Sequence, residues 1–157
     1  MRKRIDELEQ LYELRYPQFL RVATATLGDI ERGRDAVHEA FVRAVAGLDR
    51  FRGESSLETW VWRILTNVCT SDRRRERELS AEPPERAGHW KPDDARDVRE
   101  AVAALPPRQR LIVFLRHYAD LDYEQIASAV GVERGTVAAT LHAAHARLRD
   151  VLSEVPR

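Results

Sequence analysis

The 157-residue sequence has a single cysteine, Cys69, and only two lysines, Lys3 and Lys91. One cysteine excludes an internal disulfide framework and a cysteine-built zinc site. Long apolar runs are missing too. The longest span five residues, at 101–105 and 111–115, far short of the roughly 20 that a membrane-spanning helix needs. No membrane insertion is therefore expected. The N-terminus opens on Arg2, Lys3, Arg4, Asp6 and Glu7 and lacks the apolar stretch of a secretory signal. Nor is there an excess of one charge sign. The 26 basic residues are matched by 26 acidic ones, which argues against an indiscriminate binder of polyanions. Together these absences fit a cytoplasmic protein.

Arginine supplies 24 of the 26 basic residues, and its planar fork suits bidentate contacts to phosphate; a GC-rich coding sequence gives the same bias. Strand-like alternation is nearly absent, whereas apolar residues recur at i, i+3 and i+4 throughout. The spacing predicts an all-α fold. Residues 80–97 break the pattern with Pro83, Pro84, Pro92 and Gly88 and a net negative charge. They read as a linker between two small helical domains, 1–79 and 98–157. His89 and Trp90 stand out in this linker.

In the first domain, Leu8, Leu11, Leu14, Phe19, Leu20, Ala23 and Leu27 suggest one helix kinked at Pro17 or two helices divided there, ending at Gly28. A helix over about 31–48 follows, with Val37, Ala40, Phe41, Ala44, Val45 and Leu48 inward. Ser55 with Glu58 forms a capping-box spacing. It opens a helix to about residue 78 that turns Trp60, Val61, Ile64, Leu65 and Val68 inward. In the second domain, short helices are expected at 98–105, before Pro106-Pro107, and at 108–118. Asp122 and Gln125 have capping-box spacing for a third, which Gly131 ends, and a last helix covers about 133–152.

Two segments carry chemistry. In residues 123–144, a short helix with Ile126, Ala127 and Val130, a turn at Gly131, and a helix with Val137 and Leu141 make a helix-turn-helix pattern. Its second helix would lie in a major groove. A plain helical hairpin is the bland reading. Residues 49–78 combine aromatics, small polar residues and the run Arg73, Arg74, Arg75 and Arg77. Arginines hold phosphates and aromatics receive unstacked bases, although a buried tryptophan pair on a core helix would leave the same trace.

The strings LYELRYPQFLRVATATLGD, DAVHEAFVRAVAGLDRFRGESSLETWVWRILTN and ALPPRQRLIVFLRHYADLDYEQIASAVGVERGTV occur in the order of the extracytoplasmic-function sigma factors of bacterial RNA polymerase. The chain resembles that family over about 11–78 and 98–152. The first domain is similar to the sigma2 domain, with three or four helices, and the second to the sigma4 helix-turn-helix domain. The resemblance implies a subunit that binds core RNA polymerase, recognises promoter −10 and −35 elements and promotes DNA melting. Neither cofactor nor metal nor catalytic residue is implied. The expected partners are core polymerase, through its β′ clamp and β flap, promoter DNA, and an anti-sigma factor. By matching positions, Asp35, His38, Glu39 and Val42 would dock on the β′ clamp, with Phe41 in the core. Gly53, Glu54, Ser55, Ser56, Thr59, Trp60, Arg63 and Asn67 would face the −10 element, and Arg73, Arg74 and Arg75 the duplex upstream of it. Glu133, Arg134, Thr136, Val137, Ala139, Thr140, His142 and Arg147 would face the −35 element.

The recognition helix departs from the family. Where relatives place lysine, serine and arginine after the GTV motif and a further basic residue soon after, this chain has Ala138, Ala139, Thr140 and Ala143. Each missing cation forfeits a phosphate or base contact, so a weaker −35 grip is expected. A sigma-like protein acting mainly through protein contacts is the rival reading. His142 and His145 have a spacing that could ligate metal, without an evident third ligand. Asp93 and Asp94 form an acidic pair in the linker, more simply read as solvated. Cys69 reads as a small buried hydrophobe.

Overall fold

A computed structural model describes residues 1–79 and 94–154, with residues 94–96 described by their backbone. Among the described residues there are seven α-helices and one 3-10 turn, at Leu48–Arg50, and no strand. The helices are α1 (Arg2–Leu27), α2 (Ile30–Gly47), α3 (Leu57–Leu79), α4 (Asp94–Ala103), α5 (Pro107–His117), α6 (Tyr123–Val130) and α7 (Arg134–Ser153).

Helix α1 runs unbroken through Pro17. Pro17 and Glu13, whose carbonyl loses its partner, both lie on the exposed side, where water replaces the missing bond. Gly28 ends the helix at φ 77°, its N–H donating to the Thr24 carbonyl at 2.8 Å. Asp29 then caps α2 by accepting from the Arg32 N–H at 2.9 Å. The crossing of α1 and α2 is close because residue 33 is glycine: a Cβ there would lie 2.5 Å from Thr24 Oγ1 and 2.9 Å from the Thr24 nitrogen.

The first-half core is aromatic. Trp62, fully buried, lies 4.2 Å from Phe19 between ring centroids; Phe19 meets Phe41 edge-on at 5.3 Å, and Phe41 meets Tyr12 at 4.9 Å. Arg32 ties α2 to α3 through Asp72 (2.8 Å) and Glu76 (3.0 Å). Burial disfavours its charge, but these two carboxylates outweigh that and raise its pKa.

In the second half, all five side chains from Leu111 to Leu115 on α5 are buried, because α1, α6 and α7 cover it from different sides. Asp122 and Gln125 form the reciprocal capping box expected, and Gly131 adopts the left-handed turn at φ 76°. Val137, Leu141 and Ala144 bury the inner stripe of α7.

Several expectations need correction. Ser56, not Ser55, caps α3: its Oγ accepts from the Thr59 N–H at 3.1 Å. Both serines satisfy an i, i+3 spacing, and Leu57 begins the helix. Val45 and Leu14 point outward, 57% and 76% exposed, because periodicity marks an apolar stripe without saying what covers it. Residues 94–97, placed in the linker, begin α4. His89, Trp90 and Asp93 lie outside the described residues, as does the Asp94 side chain.

The two halves also touch. Helix α3 packs on α6 and α1 on α5, and one apolar cluster holds residues of both, including Leu65, Leu111 and Ile126.

Candidate nucleic-acid interface

The loop before α3 and the outer face of α3 gather most of the residues expected at the −10 element. Gly53 takes φ 75°, a left-handed turn that glycine enters without strain. The turn leaves Gly53, Glu54 and Ser56 exposed and Ser55 half-buried. A cleft of about 310 Å³ opens here, lined by Phe51, Glu54, Ser55, Trp60 and Arg63, with Arg50 and Arg52 at its side. The Phe51 and Trp60 rings stand 5.1 Å apart, and Arg4 lies over the Phe51 ring at 5.8 Å. An aromatic wall, small hydroxyls and guanidinium groups suit an unstacked base and its phosphate.

One member of the expected set does something else. Thr59 is 3% exposed and its hydroxyl pairs with Ser56 Oγ at 2.8 Å, so its side chain fixes the start of the helix. Trp60 is half-buried rather than core, resting on Phe51; its neighbour Trp62 is the core tryptophan. Phe51, Arg50 and Arg52 were not singled out by sequence, although the aromatic next to arginine in the DRFRG string was the available signal.

Further along α3, Arg63, Asn67, Thr70, Arg73, Arg74 and Arg77 continue one side of the helix. Asn67, Thr70, Arg73, Arg74 and Arg77 line a wider cleft of about 700 Å³, whose opposite wall is Pro106, Pro107, Arg108 and Leu111. Arg75 faces another way, into a cleft with Arg32, Asp35, Glu39 and Arg43. The three consecutive arginines therefore do not act as one patch. Burial and the Arg77 charge depress the Arg73 pKa.

On α2, Asp35, His38 and Val42 are exposed and Glu39 is half-buried, its carboxylate paired with Arg43 at 2.7 Å. Val42 and Val45 add an exposed apolar edge (49% and 57%). Phe41 is buried, as expected.

Helix α7 presents Glu133, Arg134, Thr136, Ala139 and His142 to solvent, with Arg147 further along. Val137 is a correction: it is fully buried, so its side chain packs the unit and reaches no base. Thr140 turns its hydroxyl back to the Thr136 carbonyl at 2.6 Å. Arg134 lies 5.9 Å from the Tyr123 ring centroid. His145 pairs across helices with His117, Nε2 to Nε2 at 3.1 Å, and not with His142. No group of three or more metal-type ligands occurs among the described residues. Cys69 is 1% exposed, and burial, aided by the Asp72 charge, pushes its thiol up to about 12.

Both halves of the chain match known proteins. The sigma-70 region 2 family model matches residues 11–78, and the sigma-70 region 4 model matches 95–148. The RNA polymerase sigma-E factor of Streptomyces avermitilis is 30% identical, over 93% of this chain and 85% of the relative. The RNA polymerase sigma factor YlaC of Bacillus subtilis is 28% identical, over 94% and 92%. Among solved structures, the fold matches sigma factor RpoE of Bartonella quintana, solved with the anti-sigma factor NepR (TM-score 0.74, 24% identity, 96% of this chain and 99% of that one). It also matches CnrH, solved with the cytosolic domain of CnrY (TM-score 0.74, 19% identity, 95% and 89%). These matches run through both halves and favour a sigma factor over a protein that merely keeps the fold. The chain belongs to the extracytoplasmic-function sigma factors, subunits of RNA polymerase that direct transcription initiation.

Proposed function

We propose that the cleft between the Gly53 loop and α3 captures non-template bases of the −10 element and thereby drives promoter melting. The observation that carries this reading is the meeting of the Phe51–Trp60 wall with Ser55 and Arg63 in one open cleft. A base can be held there only after leaving its stack, so capture shifts the duplex toward the open form without nucleotide hydrolysis or a catalytic residue. Asn67 and Arg74 extend the surface toward upstream duplex.

In this reading residues 1–79 act as the −10 and clamp-binding unit, 80–93 as the connection and 94–157, which begin with α4, as the −35 unit. The acidic and apolar outer face of α2, with Asp35, His38, Glu39 and Val42, docks on a basic surface of the polymerase β′ clamp. An exposed apolar edge beside carboxylates fits a protein partner better than DNA. The second half reads the −35 element through the N-terminal part of α7 and grips the β flap. An anti-sigma partner is proposed by analogy with the two structural neighbours, and a cytoplasmic site of action by analogy with the sigma-factor relatives; among the described residues no helix is long and apolar enough to cross a membrane.

The test is selection from a pool of randomised promoters with bacterial core polymerase plus this chain. Enriched DNA carrying two separated elements, and run-off transcripts absent with core alone, are the expected result. No transcription above core alone would reject the reading.

A further inference from the structure

We infer that the cleft between α3 and the start of α5 is a binding site for a compact polyphosphate anion, held between guanidinium groups on its two walls. The site shares Arg74 with the surface proposed for upstream duplex and otherwise stands apart from the −10 reading.

Elsewhere among the described residues, arginines are interleaved with carboxylates. Arg32 pairs with Asp72 and Glu76, and Arg43 with Glu39. The cleft that holds Arg75 is also lined by Asp35, Glu39 and Asp72, and the base-capture cleft contains Glu54. The cleft of about 700 Å³ has no such balance. Arg73, Arg74 and Arg77 come from α3 and Arg108 from α5, and none of its described lining residues is acidic. Among these four, Arg74 alone has an ion pair with a described residue, Glu78 at 3.4 Å; both side chains are largely exposed, so water screens the pair. Arg110 adds a further guanidinium to the field. Burial, followed by the charges of Arg73 and Arg77, lowers its pKa, and its Nε is buried with no hydrogen-bond partner among the described residues. In a chain whose total charge is zero, this local excess costs free energy that a bound anion removes.

The neutral groups suit the same ligand. Thr26 lines the cleft at 9% exposure, and its hydroxyl has no hydrogen-bond partner among the described residues. An unpaired buried hydroxyl is costly, and a phosphate oxygen can accept from it. Asn67 supplies an amide from α3. The first turn of α5, at Pro106, Pro107 and Arg108, forms part of the wall and has no side-chain cap, an arrangement that favours negative charge. Size and shape choose among anions. The volume suits a small molecule, whereas a duplex is too broad to enter. Guanidinium groups on two walls can grip several phosphates at once, which a phosphate chain offers and a single orthophosphate does not. Inorganic polyphosphate and a nucleoside triphosphate share this chemistry.

The test is calorimetric titration of the full chain with inorganic tripolyphosphate at constant ionic strength, with orthophosphate and a pentaglutamate peptide as controls. Saturable binding of one tripolyphosphate is expected, at least about tenfold tighter than either control. Arg77→Gln combined with Arg108→Gln, one from each wall, should weaken it by about tenfold or more, with the helical signal intact. Arg75→Gln, which faces the other cleft, should stay within about twofold of wild type. If the double variant does not fold, Arg108→Gln alone is read, with a loss of about threefold or more expected. ATP distinguishes the two sources: tighter binding than tripolyphosphate assigns the site to a nucleotide, and equal or weaker binding assigns it to the phosphate chain itself. No saturable binding, equal affinity for tripolyphosphate and pentaglutamate, unchanged affinity in the folded wall variant, or an equal loss with Arg75→Gln would overturn the inference.

Discussion

Residue 33 shows how one missing side chain can set a helix crossing. A Cβ at Gly33 would meet Thr24 Oγ1 at 2.5 Å and also the Thr24 backbone nitrogen at 2.9 Å, which cannot swing aside as a side chain can, so α1 and α2 would have to separate. Gly33→Ala should therefore destabilise the protein by about 1–3 kcal/mol, despite alanine's better helix propensity; urea unfolding followed by circular dichroism checks this. Cys69 makes a second residue-scale case. With its thiol raised to about 12 and buried, it should resist a thiol-specific reagent at pH 8 in the native protein and react stoichiometrically once unfolded. Fast native labelling would contradict its placement. Cys69 was legible in the sequence because it lies on the apolar stripe of a strongly periodic helix. Gly33 was not, because nothing local distinguishes a glycine at a crossing from one that merely weakens a helix.

At the scale of elements, local signals were read well and surface coverage was not. The Asp122–Gln125 capping box and the Gly131 turn are built from neighbours in sequence, and both form. The outward turn of Val45 depends on which helices pack where, which spacing alone leaves open. The same limit applies to the arginine run: residues 73 and 74 face one cleft and 75 another, because successive helix positions point about 100° apart. The recognition helix bears a specific prediction. Its solvent-facing positions Ala139 and Ala143 are exposed and lack the charge that grips phosphate. Ala139→Arg should tighten binding of the polymerase-bound protein to upstream promoter duplex and steepen the slope of log affinity against log salt by about 0.9 per phosphate gained. An unchanged slope in a salt titration would place the DNA-facing side of α7 elsewhere.

For the whole molecule, the sequence showed two helical units and a connection, and it was silent on how the units meet. The Arg63–Ser128 and Thr66–Ala129 contacts join positions more than sixty residues apart, and neither helix carries a local sign of its partner. The face of α3 proposed for DNA therefore lies partly against the second half. The central claim, that the Gly53 loop and α3 melt the promoter by capturing bases, is tested most directly by permanganate reactivity of unpaired thymines on a selected promoter with core polymerase. Wild-type protein should expose the −10 region. Ser55→Val, or Asn67→Ala, should reduce that reactivity about tenfold or more, with polymerase binding unchanged in a pull-down and the helical signal intact. Full reactivity with these variants, bound and folded, would contradict the account.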